Sequence, residues 1–485
     1  MIRKLLTFLL IIIICVNNSF AQNLFSNTKY QLEAGTYLST SGVTPFWLRS
    51  NQYGIVPLQP PILTFRGSAH KEYDSTKNEN QKLKKFGYGY GFWGVANVGK
   101  QSGLLLPEAY LKVRYGAFEF YGGRRREIMG LVDTALTSGS YIWSGNALPM
   151  PKIQISIPNY TSIIGHGLIS VKGTFAHGWF NNDRPITKHV KLHQKSFYAR
   201  LGKDNWKIKM YAGFNHNVQW GGESPFYSID GKLPDGFKNY LFAVTGKRGA
   251  ITSSPITSDF DANRVGNHLG TIDIGMDIKL ANADLFLYRQ NIYEDGSLFY
   301  LNNISDGLNG LSIKLKNTNI IKKIGFEYLN TTSQGGSIFT FFDNAPPELR
   351  GADSYFNNAQ FADGWTYKNS IIGTPFIQNT YLNFKASDKL KDFFMENNRI
   401  KLFNISAQGN IKKNLVINFR SSFSSNYGTY IDSTNKTIKQ TSTLLSLTKS
   451  DFYLENTTLN LGVSFDSGSL YKSSFGTSIR IIKQL

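Results

Sequence analysis

Along most of the chain, apolar and polar positions alternate one by one. In Thr271 to Leu280, TIDIGMDIKL, the residues Ile272, Ile274, Met276, Ile278 and Leu280 fall on one side. Thr271, Asp273, Gly275, Asp277 and Lys279 fall on the other. Strand side chains point alternately to opposite faces, so this segment is a strand with an apolar stripe backed by a polar one. Leu459 to Asp466, LNLGVSFD, repeats the pattern. Ala109 to Tyr115, Leu311 to Lys316, Leu415 to Arg420 and Ser474 to Ile481 are further copies. Helical 3.6-residue patterns are few. Turn-like clusters separate the strands at Lys71 to Asn80, Asn317 to Lys323 and Ser433 to Thr437. Two connections are long, Gly221 to Asn263 and Phe342 to Thr374.

Half-buried strands of a soluble sandwich also alternate. The polar stripe separates the two cases, because it carries Gly, Ser, Asn, Asp and Lys, as a hydrated lumen does. Aromatic residues make up 14% of the chain, with 45 glycines, yet mean hydropathy is only −0.25. A transmembrane β-barrel combines these features, since only every second strand residue meets lipid. We therefore expect an all-β outer-membrane barrel of antiparallel strands. The length predicts roughly 16–20 strands at about 25 residues per strand and turn. No linker divides the chain, so residues 22–485 are expected to form one domain.

The first residues carry Arg3 and Lys4, then an apolar run from Leu5 to Val16, then small residues at Ser19 and Ala21. This reads as a secretory signal over residues 1–21, cleaved before Gln22. The run is shorter than the roughly 20 residues of a membrane-spanning helix. The one cysteine, Cys15, lies within it, so disulfide and thiol chemistry are not expected in the exported part.

Charge adds a second constraint. Fifty-three Lys and Arg against 33 Asp and Glu leave a net +20. An exported chain without a basic helix or zinc-finger spacing is not expected to bind nucleic acid. The remaining counterparts are lipid phosphates, including those of lipopolysaccharide, and acidic glycans. The segment Phe118 to Glu127, FEFYGGRRRE, concentrates the charge. An arginine facing lipid costs about 2–4 kcal/mol at the midplane and about 0–1 at the interface. The triplet is therefore expected at the barrel rim, with Phe118, Phe120 and Tyr121 as an aromatic girdle and a bend at Gly122–Gly123. There the arginines either neutralise lipid phosphates or fork the carboxylates of an acidic sugar chain.

Glycan binding also uses aromatic faces. The candidate set is Arg124, Arg125, Arg126, Glu127, Arg184, Trp143, Trp179, Trp220 and Trp365; the tryptophans have an alternative role as interfacial belt residues. His189 and His193 are spaced i,i+4 but lack further ligands, so no metal site is expected. Glu119, Glu127, Asp133 and Glu223 lie among aromatics, but a glycosidase needs two carboxyls about 5–10 Å apart, which sequence does not reveal. No G-x-S-x-G elbow is visible. No catalytic residue, enzymatic activity or cofactor is expected.

A set of longer strings goes beyond composition. TPFWLRSNQYG (Thr44 to Gly54), YGGRRREIMGLVDTALTSGSYIWSGNALPMPKIQISIP (Tyr121 to Pro158), NHNVQWGGESP (Asn215 to Pro225), YEDGS (Tyr293 to Ser297), DGLNGL (Asp306 to Leu311), YFNNAQFADGWTYKNSIIGTPF (Tyr355 to Phe376) and NNR (Asn397 to Arg399) occur in order. In kind and order they resemble the capsule-assembly Wzi family in the form found in Bacteroidetes-type bacteria. That resemblance implies an outer-membrane barrel of about eighteen strands, with minor helical segments on the periplasmic side and in loops. It also implies a lectin-like, non-catalytic protein that binds and helps retain or assemble capsular polysaccharide at the cell surface. A monomer is expected. The rivals are a general porin or polysaccharide export channel, and a barrel enzyme acting on glycan or lipid. An occluded lumen favours the lectin-like role over the channel. The chain is too short for a plug domain ahead of a 22-stranded transporter barrel.

Overall fold

The computed structural model describes residues 26–73, 85–247, 265–294, 298, 300–318, 320–336, 353–379, 395–430 and 433–485. Residues 1–21, read from the sequence as a secretory signal, lie outside them. The first strands are β1 (Lys29–Ser39), β2 (Ile62–Lys71), β3 (Phe86–Gly99), β4 (Gly103–Tyr115), β5 (Phe118–Arg124), β6 (Pro151–Ile164) and β7 (Ile169–Trp179). Next come β8 (Lys191–Leu201), β9 (Ile208–Trp220), β10 (Asn267–Lys279), β11 (Ala283–Tyr293), β12 (Gly307–Leu315) and β13 (Ile321–Asn330). Four short strands follow, β14 (Thr366–Tyr367), β15 (Ser370–Ile371), β16 (Gln378–Asn379) and β17 (Met395–Asn397). The chain ends with β18 (Ile400–Lys412), β19 (Leu415–Gly428), β20 (Ser433–Lys449), β21 (Thr457–Gly468) and β22 (Ser474–Gln484).

Apart from the four short strands, these form one 18-stranded antiparallel sheet in chain order. It closes where β22 pairs with β1, from Gln31 opposite Gln484 to Ser39 opposite Gly476. The short strands form two separate hairpin-like pairs.

Burial runs opposite to that of a soluble protein. On β10, Ile274 is 51% exposed while Asp273 is fully buried. On β21, Leu461, Val463 and Phe465 point out, while Ser464 and Asp466 point in and are buried. The same outward apolar face runs through β1, β2, β4, β9 and β22. Such a belt is stable only against hydrocarbon, so the period-2 stripes of the sequence are the lipid and lumen faces of a membrane barrel.

β1 starts and β22 ends at the same rim. Tight turns also lie there, such as Gly116–Ala117 and the two residues between β18 and β19. Most of the long connections, 40–61, 125–150, 180–190, 221–266, 294–306 and 331–399, leave the sheet at the opposite rim, while residues 72–85 join β2 to β3 on the turn side. Barrels of the outer membrane keep short turns in the periplasm and long loops outside, which orients the chain. The two described helices, α1 (Phe46–Arg49) and α2 (Phe237–Thr245), lie in these outer connections. No helix lies on the turn side among the described residues.

Outer connections fold back into the lumen, where side chains from β10 to β21 receive several of them. Glu327 on β13 accepts hydrogen bonds from the Thr137 hydroxyl (2.7 Å), the Ser138 amide (2.5 Å) and the Tyr288 hydroxyl (2.6 Å). Asp273 accepts the Leu131 amide at 2.9 Å. The Tyr141 amide donates to Gln290, the Phe46 amide to Asp466 and the Trp47 indole to Ser422. The inserts also hold one another. Ser144 donates to the Gly373 carbonyl at 2.6 Å, and the rings of Phe46 and Phe376 lie 4.8 Å apart. Phe46, Trp47, Tyr141, Trp143, Phe356, Trp365 and Ile377 belong to one apolar core that also includes Tyr198, Leu329 and Leu402 of the wall. The barrel interior is thus a packed core with polar wall contacts.

Two local expectations are corrected. Ser433 to Thr437, read as a turn, opens β20, where Ser433 lies opposite Gly428. Beyond the hydrocarbon a hairpin needs no apolar stripe, so polar residues continue the ladder. Asn317 to Lys323 likewise runs into β13 at Ile321.

Replacing Ile274 with Arg puts a charge on the lipid face near mid-strand; it should cost about 2–4 kcal/mol, read by denaturant unfolding from lipid vesicles. Replacing Glu327 with Ala leaves three donors of the lumenal contact unpaired, at about 1–3 kcal/mol for each buried group. Protease cleavage within residues 125–150 and ion conductance in planar bilayers should both rise, and unchanged values would show that Glu327 does not hold the insert.

Candidate functional site

The arginine triplet starts where β5 leaves the sheet. Gly123 has φ 125°, and a Cβ there would lie 2.1 Å from the Ala109 carbonyl oxygen, so only glycine fits this close approach. Arg124 is the last residue in the ladder, opposite Ala109 and Pro151. Arg125 and Arg126 lie past the strand end, so strand alternation does not force either of them toward lipid. They turn into the lumen. Phe118 and Phe120 face outward as the girdle reading requires, but Tyr121 is fully buried. It occupies an inward position of the period-2 pattern, which corrects its assignment to the girdle.

Each inward cation meets a carboxylate of the wall. Arg125 Nη1 lies 2.5 Å from Glu119 Oε1, and Glu119 also accepts the Tyr73 hydroxyl at 2.6 Å. Arg126 Nε lies 2.9 Å from Glu108, and its backbone amide donates to the same carboxylate. His70 Nε2 is a further partner of Glu108 at 2.8 Å. Glu127 receives the Lys152 ammonium and the Gln154 amide. Lys152 also donates to Gln194 at 2.8 Å.

Aromatic faces interleave with these charges. The Arg126 guanidinium lies 4.5 Å from the Trp93 ring centroid and 5.6 Å from that of Tyr53. Arg125 lies 5.4 Å from both Tyr110 and Tyr121. Lys152 lies 5.0 Å from Trp143. Arg124 donates to the Tyr367 hydroxyl at 3.0 Å. Burial alone would lower the Arg125 pKa, but Glu119 and Glu127 outweigh it and the net shift is upward. Burial raises the Tyr53 hydroxyl above its ordinary range, against the pull of Arg126. The ring thus stays a neutral hydroxyl donor.

A small pocket of about 10 Å³, room for about one water, lies among Tyr53, Arg125, Glu127, Trp143, the segment 145–150 and Ile372. Its lining carries the residue types of a carbohydrate subsite: the half-buried Tyr53 ring suits sugar C–H surfaces, and Arg125 and Glu127 suit hydroxyls, while Trp143 is buried beneath them. The cations are already paired, so a glycan carboxylate would share their unused donors instead of neutralising a bare charge.

The candidates of the sequence therefore divide. Arg125, Glu127 and Trp143 line this pocket; Arg126 adjoins it through Tyr53. Arg124 sits at the rim beside Tyr367. Arg184 and Trp365 are buried elsewhere in the insert. Arg184 donates to the Gly364 carbonyl at 2.7 Å and lies 3.5 Å from Asp363. Trp365 packs near Phe180. Trp179 and Trp220 point away from the lumen, on the membrane side of β7 and β9. Tyr53, Trp93, Glu108 and Lys152 were not among the candidates. Tyr53 and Lys152 do lie within the strings that carried the family resemblance, which was the available signal.

Glu119, Glu127 and Asp133 are in contact with cations. Glu223 lies 3.5 Å from His189 in an exposed contact. His193 is on strand β8 and buried, so the helical i,i+4 geometry with His189 does not exist. Among the described residues, no group of three or more metal-ligating side chains occurs.

A family described as Capsule assembly protein Wzi matches residues 63–467. No curated protein matches the chain. Among solved structures, OccAB2 of Acinetobacter baumannii is similar at 12% identity and TM-score 0.48, over 95% of this chain and 98% of that one. OccK3 (OpdO) of Pseudomonas aeruginosa is similar at 9% identity and TM-score 0.48, over 96% and 97%. OccAB4 of Acinetobacter baumannii is similar at 10% identity and TM-score 0.47, over 96% and 99%. At these values the likeness extends no function to this chain.

Replacing Glu119 with Gln removes the carboxylate that holds Arg125. Breaking a buried ion pair costs about 3–5 kcal/mol, and the one-quarter exposure of Arg125 brings the expected loss to about 2–4. Thermal unfolding in detergent would read it, and the double change with Arg125 to Gln should recover part of the loss.

Proposed function

The chain belongs to the Capsule assembly protein Wzi family, and from that premise we propose that this outer-membrane barrel holds capsular polysaccharide in a lectin-like manner, without catalysis. Capsule assembly and the outer-membrane location follow from the family and the barrel. The holding of the polymer is our reading. The observation that carries it is the inward folding of the outer connections. They pack a core into the lumen and present, towards the outer end, a surface that sets Tyr53 beside arginine and carboxylate over a small pocket. A channel would need a hydrated path along that same axis. The net +20 and the forked donors of the triplet favour an acidic polymer. Tyr53, Arg125, Arg126, Glu127 and Trp143 are the residues we assign to the contact. Arg124 extends it at the rim.

The test is binding of the detergent-purified barrel to the capsular polysaccharide of its source cells, with polygalacturonate as an acidic probe and dextran as a neutral one. Saturable binding of the acidic polymers should weaken with salt and dextran should bind less. Replacing Arg126 with Gln should weaken binding about tenfold, the loss of one charge-assisted hydrogen bond of roughly 1.5 kcal/mol. Polymer length should stay unchanged on prolonged incubation. Absence of binding at low salt would sink the holding role, and shortening of the polymer would sink the non-catalytic part.

A further inference from the structure

One part of the outer wall does not behave as a lipid face. On β9 the outward residues Ile208, Met210 and Phe214 are exposed, as a membrane wall requires. Val218 and Trp220 share that face, yet their exposures are 0% and 4%. The cover is α2, whose Ala243 and Tyr240 pack on them in a small apolar cluster separate from the lumenal core. The helix therefore lies on the outside of the barrel.

Two lysines of the β8 outer face tie it there. Lys195 donates to the Val244 carbonyl in the last turn of α2. Lys191 bonds Asp235 at 2.6 Å, and Asp235 accepts the Gly236 amide at the start of the helix. Burial alone would raise the Asp235 pKa; Lys191 and the Gly236 amide reverse this and hold it below the ordinary range. Gly246, at φ 66°, closes the other end by donating to the Phe242 carbonyl.

The height of the helix can be read from the strands beneath it. Moving outward along β8 the lipid-facing series passes from Phe197 to Lys195. Along β9 it passes from Phe214 to His216, and along β10 from Ile272 to His268. His216 and His268 pair ring to ring at 2.8 Å. The apolar band ends there, so α2 sits at the boundary between hydrocarbon and headgroups. Its own apolar arc is wider than the wall covers. Phe237, 76% exposed, and Leu241 lie on the same side of the helix, about 40° apart at 3.6 residues per turn, next to the half-buried Tyr240. Lys232, Lys238 and Lys247 are exposed around them, with no carboxylate in ion-pair contact among the described residues.

We propose that α2 is an outer-leaflet anchor that seats a phosphorylated glycolipid, with acyl chains against Phe237 and Leu241 and phosphates at Lys232, Lys238 and Lys247. The apolar side of α2 continues the lipid-facing wall, and the three exposed lysines offer cations to headgroup phosphates. An amphipathic helix with apolar anchors and flanking lysines binds an interface by these two terms. This surface is separate from the lumenal pocket and does not depend on it.

The experiment uses the full chain in a Cys15→Ser background, with a fluorophore on Leu241→Cys. Leu111→Cys serves as a lipid-facing control and Lys472→Cys as a solvent-facing one. Each is reconstituted in nanodiscs of phosphatidylethanolamine with or without lipopolysaccharide, plus a spin-labelled quencher lipid. Quenching at position 241 should approach that at 111, and the label's emission should shift further to the blue when lipopolysaccharide is present. The added shift should be lost in the triple change of Lys232, Lys238 and Lys247 to Gln. Quenching at 241 no greater than at 472, with 111 still quenched, would overturn the anchor. Identical emission with and without lipopolysaccharide would overturn the glycolipid assignment in favour of ordinary phospholipid contact.

Discussion

In hydrocarbon a backbone amide without a partner costs several kcal/mol, and no water is present to supply one. A sheet that crosses a membrane must therefore close. The ladder between β1 and β22 meets that condition, joining two ends of the chain that are far apart in sequence. Everything else in this protein depends on it. Closure divides each strand into a lipid face and a lumen face, and it creates an enclosed space in which charged residues can be placed away from lipid.

That space is where the chain puts much of its polar chemistry. Glu33 with Arg66, Glu108 with Arg126, Glu119 with Arg125, and Glu127 with Lys152 line the wall as ion pairs. A buried charge is tolerable only when paired and hydrogen-bonded, so the carboxylates of β1, β4 and β5 and the lysine of β6 require specific partners at fixed heights. Further round, Glu327, Asp273 and Asp466 take backbone amides and hydroxyls of the folded-in connections instead. One wall thus organises a charge network and the other anchors the insert. The pocket lies where the two systems meet: Tyr53, Trp143 and Glu127 come from connections, while Glu119, the partner of Arg125, comes from a strand.

The outer surface follows the same logic in reverse. Where hydrocarbon ends, polar side chains return to the outward positions of β8, β9 and β10. There a helix is laid against the wall and held by lysines at both ends. Lumen insert and outer helix are built from the same kind of segment, the long outer connection. Which side each takes is decided by the faces it meets, since residues 125–150 find polar receivers inside and α2 finds Val218 and Trp220 outside.

The alternation in TIDIGMDIKL needed no partner to be read, because the two-residue period of a strand is a property of local backbone geometry. It determined the barrel class, the faces of β10 and β21, and the outward Phe118 and Phe120. The same rule places Tyr121 inside, against its reading as a girdle residue. The position of the arginine triplet at a rim was also legible, from the cost of charge in lipid. The partners of those arginines were not. Glu108 and Glu119 lie on the neighbouring strand and earlier on the same one, and their reach depends on where β5 ends and the chain turns inward. Trp143, Trp179, Trp220 and Trp365 looked alike in sequence, each in a Gly- and Asn-rich setting, yet they occupy the pocket, the membrane face, the underside of a helix and the insert core. Local sequence determines which face of a strand a residue takes. Which surface a connection finally covers is fixed only when the sheet has formed, because that choice depends on contacts with strands that lie from about 25 to more than 400 residues away.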